Sequence, residues 1–168
     1  MSFKEFMSLV VDGCVDFVTN RVFLCVLFAW FMAQFLKLFT STKYRQGISF
    51  WKFALGSGGM PSSHSSAVCA ACFSCGILEG FDSPIFAVSA VLAAVVMRDA
   101  AGIRREAGKQ AEAINAVTSE LSKKRKHFAD YTLSELLGHT PLQVFCGGLL
   151  GFIMAFVCQC WLFDLFLP

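Results

Sequence analysis

The sequence predicts an all-α, multi-pass membrane protein: about four apolar helices, with a charged helix lying along the membrane surface. Three observations carry that expectation. The chain has 168 residues, enough for a single membrane domain spanning 1–168. It is 56% hydrophobic and only 15% charged, more apolar than a soluble core of this size can hide. Nearly all of its 14 Lys and Arg fall into two segments between apolar runs, as in loops of one membrane face. This composition excludes disordered, collagen-like and nucleic-acid-binding arm classes, so no nucleic-acid partner is expected.

The elements follow in order. Residues 1–20 read as an amphipathic lead-in, with Phe6, Leu9, Val10, Gly13 and Phe17 on one side and Lys4, Glu5, Ser8, Asp12 and Asp16 on the other. Lacking a basic n-region, this stretch is not expected to be a cleaved signal. From Val22 to Leu36 the run is apolar except for Gln34, and Arg21 and Lys37 at its ends can snorkel, which makes it the first crossing. Ser65 to Leu78 is rich in Ala, Ser, Cys and Gly, which suits a helix buried among others, because small residues let backbones approach closely in lipid. Ser83 caps a third helix with Pro84 at its first position, running to Arg98. These two runs are short against the ~20 residues of a full span, so a re-entrant hairpin is the alternative. Leu142 to Leu167 is the last crossing.

Lys37, Lys43, Arg45 and Lys52 form the first basic segment; Arg98, Arg104, Arg105, Lys109 and Lys123 to Lys126 lie in the second. Glu79 and Asp82 occupy a base-free loop between them. By the positive-inside rule both basic segments face the cytoplasm, whether or not the middle pair is re-entrant. Residues 99–138 are thus read as a cytoplasmic loop. Within it Ile103, Ala107, Ala111, Ile114, Val117 and Leu121 recur at helical spacing and predict a surface helix, and Thr132 with Glu135 forms a capping box that starts a short helix ending near Gly138. The eight cysteines lie almost entirely in apolar runs and read as small packing residues. The CxxC of Cys72 and Cys75 and the CxC of Cys158 and Cys160 have no nearby His or second thiolate pair, so no metal site is expected.

Chemistry concentrates at helix starts. GSGGMPSSHSS, residues 56–66, combines glycines with Pro61 at the expected first helical position and Ser62, Ser63 and His64 in the opening turn. Free backbone N–H groups, hydroxyls and an imidazole at a helix start can cradle an anion; a glycine loop feeding a capped helix is the plainer alternative. LGHTPLQVFCGG, residues 137–148, is a second such start, with Thr140 as cap, Pro141 after it and His139 just before. RDAAGIRREAGKQ, residues 98–110, supplies Asp99 at the end of an apolar helix, then Arg104 and Arg105, which can hold phosphate bidentately or simply face anionic lipid. A carboxylate such as Asp99 needs a partner at that depth, and orienting an imidazole would supply one.

GGMPSSHSS, DAAGIRREAGKQA and LGHTPLQV, in that order, resemble the signatures of the divergent branch of the type-2 phosphatidic acid phosphatases, a branch related to acid phosphatases and vanadium-dependent haloperoxidases. The resemblance covers about residues 20 to 155. It implies an α-helical membrane protein with a site for a phosphate ester or pyrophosphate and no metal or cofactor. In that superfamily a Pro-Ser-Gly-His motif supplies a general acid, matched by Pro61, Ser62, Ser63 and His64. A later His-x-x-x-Asp-Val-x-x-Gly motif supplies a nucleophile, matched by His139, Val144 and Gly147. The resemblance thus implies that His139 forms a phosphohistidine while His64 protonates the leaving oxygen.

The chain departs from the superfamily in three places. Gln143 replaces the aspartate that orients the nucleophile and can accept a hydrogen bond without stabilising an imidazolium by charge, which leaves Asp99 as the candidate substitute. The arginine before the nucleophile is Leu133, so clamping falls to Ser62, Ser63, Arg104 and Arg105. Lys37 and Arg45 approximate the superfamily's first motif. The expected substrates are a phospholipid or isoprenoid phosphate drawn from the membrane lipids: phosphatidylglycerophosphate, phosphatidate or an isoprenyl pyrophosphate. The alternatives are a non-catalytic membrane protein that binds phosphate-bearing lipids, a vanadate-dependent oxidase and a transporter; the oxidase lacks two usual members of its cationic cage, and the transporter lacks an inverted repeat.

Overall fold

The computed structural model describes residues 2–40, 59–124 and 138–166. The architecture is all-α: α1 (Phe3–Thr19), α2 (Arg21–Thr40), α3 (Ser63–Glu79), α4 (Pro84–Ala101), α5 (Ile103–Lys124), α6 (Pro141–Val157), a π turn (Cys158–Leu162) and α7 (Phe163–Phe166). Among the described residues three stretches are long and apolar enough to cross a membrane: Arg21–Thr40, Pro84–Glu120 and Pro141–Leu165. At 17 residues, or about 25 Å, α3 falls just short of that length and completes a set of about four.

Helix α3 is the hub, packed against α2, α4 and α6. Its composition explains the position. Ser66, Cys69, Ala70, Cys72, Ser74 and Gly76 are all buried, and none is bulky enough to hold a neighbour away. The facing stripe of α6 is equally small: Gly147, Gly148, Gly151 and Ala155. A Cβ on Gly147 would overlap the backbone oxygen of Ser62, and one on Gly151 would overlap that of Ser66. The α3–α6 seam is therefore backbone against backbone. Cys25, Ala29 and Ala33 of α2 close the third side, where the Ser66 hydroxyl donates to the Ala29 carbonyl at 3.1 Å.

The caps show why the helices start where they do. Ser83 accepts from the Phe86 N–H at 3.3 Å with Pro84 at the first helical position, as expected. Gly80, at φ +94°, closes α3, and the short turn that follows brings α4 back antiparallel beside it. The α3 start differs by a residue or two from the expectation: Ser62 is the N-cap, Ser63 opens the helix and Pro61 lies outside it. The Ser62 hydroxyl wins the cap because it accepts from the Ser65 N–H at 3.3 Å.

The last apolar run is not one regular helix, since the ladder widens to a π turn at Cys158–Leu162 before α7. There the Gln159 amide donates to the Arg21 carbonyl at 3.2 Å and Phe163 is buried. Helix α1 starts with a full capping box between Ser2 and Glu5 and buries none of its residues. Ala111 of α5 is buried, whereas Ile103, Ile114 and Val117 stay exposed. The Thr132–Glu135 box lies outside the described residues.

Candidate functional site

Four helix ends meet on one end of the bundle: the last turn of α2, the first turn of α3, the last turn of α4 and the residues leading into α6. The backbone joins them directly. Ser62 N–H donates to the Gln143 carbonyl at 3.0 Å, and His139 N–H donates to the Ala100 carbonyl at 3.1 Å. The Ser62 hydroxyl is buried and engaged in capping, accepting from Ser65 through both its N–H and its hydroxyl, the latter at 3.0 Å.

Lys37 is the most unusual group of this end. Its side chain is 1% exposed, and its Nζ donates to the Ser63 hydroxyl at 3.1 Å. Gly59, at φ +86°, turns the chain over the lysine stem, and the Thr40 hydroxyl holds that turn through the Met60 carbonyl. Among the described residues no carboxylate pairs with Lys37. An ammonium has three donors, and a buried cation with an uncommitted donor is costly unless an anion completes it. Ser63, in the first turn of α3, adds the partial positive charge of a helix start at the same spot.

His139 is 4% exposed and His64 is exposed; their ring centroids are 6.4 Å apart at 58°. A phosphorus approached at about 3–3.5 Å from one side and a leaving oxygen hydrogen-bonded at about 2.6–3.2 Å from the other fit that scale. The two imidazoles expected at separate helix starts are therefore neighbours.

Gln143 fixes the chemistry of His139. Its Oε1 stands 3.2 Å from His139 Nδ1 and accepts from the Thr140 N–H at 3.0 Å, while its own N–H donates to the Thr140 hydroxyl at 3.3 Å. A backbone N–H can only donate, so the Gln143 terminus must present oxygen rather than nitrogen. His139 Nδ1 then donates to that oxygen, which places a proton on Nδ1. In the sequence Gln143 reads only as a departure from an aspartate. The signal that could have found its role is Thr140-x-x-Gln143, itself a capping-box pattern. Gly147 and Gly151 likewise form a small-xxx-small pair whose packing role was readable.

Of the remaining expected residues, Asp99 is half-buried in the last turn of α4, beside the Ala100 carbonyl that holds His139. Arg104 and Arg105 lie in the first turn of α5, with side chains outside the described residues, and Arg45 lies outside them altogether. Among the described residues no three His, Cys, Asp or Glu side chains are grouped so as to hold a metal ion.

Comparison with known proteins gives a consistent family. The profile described as the divergent PAP2 family matches residues 18–154. A relative from Bacillus subtilis (strain 168), described as the uncharacterized membrane protein YuiD, is 37% identical over 153 residues, covering 85% of this chain and 96% of its own length. No solved structure matches the chain.

Proposed function

The chain belongs to the divergent PAP2 family and is an integral membrane protein, and from that premise we propose that it is a metal-independent phosphatase acting on a phosphorylated membrane lipid. The observation that carries the reading is Lys37. A buried ammonium donates to the first-turn serine of the helix that carries His64, with no carboxylate paired to it among the described residues, and such a group suits a phosphate.

In this reading the substrate phosphate accepts from Lys37, Ser63 and the N–H groups at the start of α3. His139 Nε2 attacks phosphorus, the phosphorus–oxygen bond to the lipid breaks, and His64 gives its proton to the departing oxygen. His64, now neutral, takes a proton from water as that water attacks the phosphohistidine. Phosphate leaves and both histidines return to their starting states. Gln143 holds the tautomer, Asp99 supplies the nearby negative charge that an amide lacks, and Arg45, Arg104 and Arg105 add cations around the phosphate. The substrate class is phosphatidate, phosphatidylglycerophosphate or an isoprenyl pyrophosphate. The site lies at the end of the bundle that leads into both basic segments, which by charge is the cytoplasmic face.

The test is phosphate release from that lipid panel by the purified protein in detergent. Wild type is expected to release phosphate and a His139→Ala variant to fall to background. Equal release by both would reject the assignment. Gln143 favours one second reading, a protein that binds lipid phosphates without turning them over, because an amide stabilises an imidazolium less than a carboxylate does. Acid-labile labelled phosphate trapped on His139 separates the two, since binding alone leaves no covalent adduct.

A further inference from the structure

Beside the phosphate cradle a groove of about 310 Å³ runs down the bundle between α2 and α6. Its walls include Leu36 and Thr40 of α2, Pro61 before α3, and Cys146, Leu149 and Ile153 of α6. We propose that this groove seats one hydrocarbon chain of a lipid whose phosphate lies at Lys37 and Ser63. The proposal rests on the phosphate-site reading above and adds where, and how, the rest of the substrate is held.

Depth and polarity select the occupant. Ile153 lies 12 residues beyond Pro141, about 18 Å along the helix at 1.5 Å per residue. The groove therefore extends well into a hydrocarbon layer about 30 Å thick. The Thr40 hydroxyl, the polar side-chain group on its wall, is already spent on the Met60 carbonyl. Among the described residues the rest of the wall is largely apolar, which suits hydrocarbon better than water.

Continuity ties the groove to the cradle at both walls. On α6, Cys146 and Ile153 stand three and ten residues beyond Gln143, so the stripe that begins by holding His139 continues as the groove wall. On α2, Thr40 lies one turn beyond Lys37, and Pro61 is two residues before Ser63. A phosphate on Lys37 would thus leave its ester oxygen at the groove mouth. A groove of about 310 Å³ suits part of one alkyl chain. The outward face of α4, where Val88, Leu92 and Val95 are exposed, supplies the control surface, since ordinary lipid can touch it without a phosphate partner.

The experiment uses the full chain in lipid nanodiscs with hexadecyl phosphate carrying a mid-chain diazirine, and with the same probe as its phosphate-free alcohol. After illumination, labelled peptides are mapped by mass spectrometry. The phosphate probe is expected to label residues 146–153 at least about fivefold more than the alcohol does. That excess should disappear in Cys146→Trp and in the milder Leu149→Phe, while labelling of α4 stays unchanged. Equal labelling by both probes, or labelling spread evenly over α4, would overturn the proposal. So would no labelling of 146–153, the result if residues 41–58 of this chain or a resident lipid fill the groove. Phosphate release is measured in the same samples: excess label without release keeps the groove and removes the phosphatase, whereas release with uniform label does the reverse.

Discussion

Helix α2 carries one cation near each end, and the two are held in opposite ways. Arg21, at the start, meets Asp164 at 3.3 Å in a pair whose side chains are 32% and 65% exposed. Lys37, near the end, is buried and meets a serine hydroxyl. A wet ion pair is weakly coupled to the rest of the molecule, because water solvates either partner nearly as well as the other does. A dehydrated ammonium is strongly coupled, because whatever anion it meets replaces hydration it has already lost. The contrast separates the two ends of one helix: the paired cation ties α2 to α7, and the buried one is the group on which the proposed phosphate site rests.

The sharpest way to break this comparison is at Lys37. A Lys37→Met variant is expected to lose about 10²–10³ in kcat/KM for lipid phosphate hydrolysis, the usual effect of removing one preorganised oxyanion donor. Its thermal unfolding in detergent should occur no lower than that of wild type, because an apolar side chain replaces a buried charge. A variant that is less stable yet fully active would mean that Lys37 serves the fold alone.

Gln143 comes next. Gln143→Leu should reduce kcat about tenfold with KM little changed, since a hydrogen bond of about 1–1.5 kcal/mol is lost from the nucleophile. Gln143→Glu should recover most of that rate. It should also move the acid limb of the pH–rate profile upward, because a carboxylate on Nδ1 stabilises the imidazolium and keeps Nε2 protonated to higher pH. An unchanged limb would detach Gln143 from the chemistry. The smallest effect belongs to the other end: Arg21→Gln should cost under about 1 kcal/mol of stability and change hydrolysis less than twofold. A large loss of activity there would erase the distinction between the two cations.

Much of the fold was legible because its signals are local. The Ser83–Pro84 and Thr140–Pro141 starts follow from caps and fixed proline geometry, and the small residues of 65–78 announce a buried helix. The helix count was readable only as about four, since the 17 residues of α3 sit at the edge of spanning length. The shifted start of α3 was not legible: GMPSSH offers two serines that could cap locally, and Ser62 is also tied by its N–H to the Gln143 carbonyl, far away in sequence. The π turn, where Gln159 bonds to the Arg21 carbonyl, has no local signal in the sequence either. In the site, His64 and His139 were readable as residues but their 6.4 Å approach was not. Lys37 entered through an approximate spacing with Arg45, and nothing local foretells its bond to Ser63, contributed by another helix.

The glycine seam has a mechanical consequence. His64 rides on α3 and His139 on the lead into α6, and with Gly147 and Gly151 seated on the Ser62 and Ser66 carbonyls these helices cannot slide past each other without collision. Any shift of α3 along α6 would have to open that backbone contact, so the seam couples the positions of the two rings.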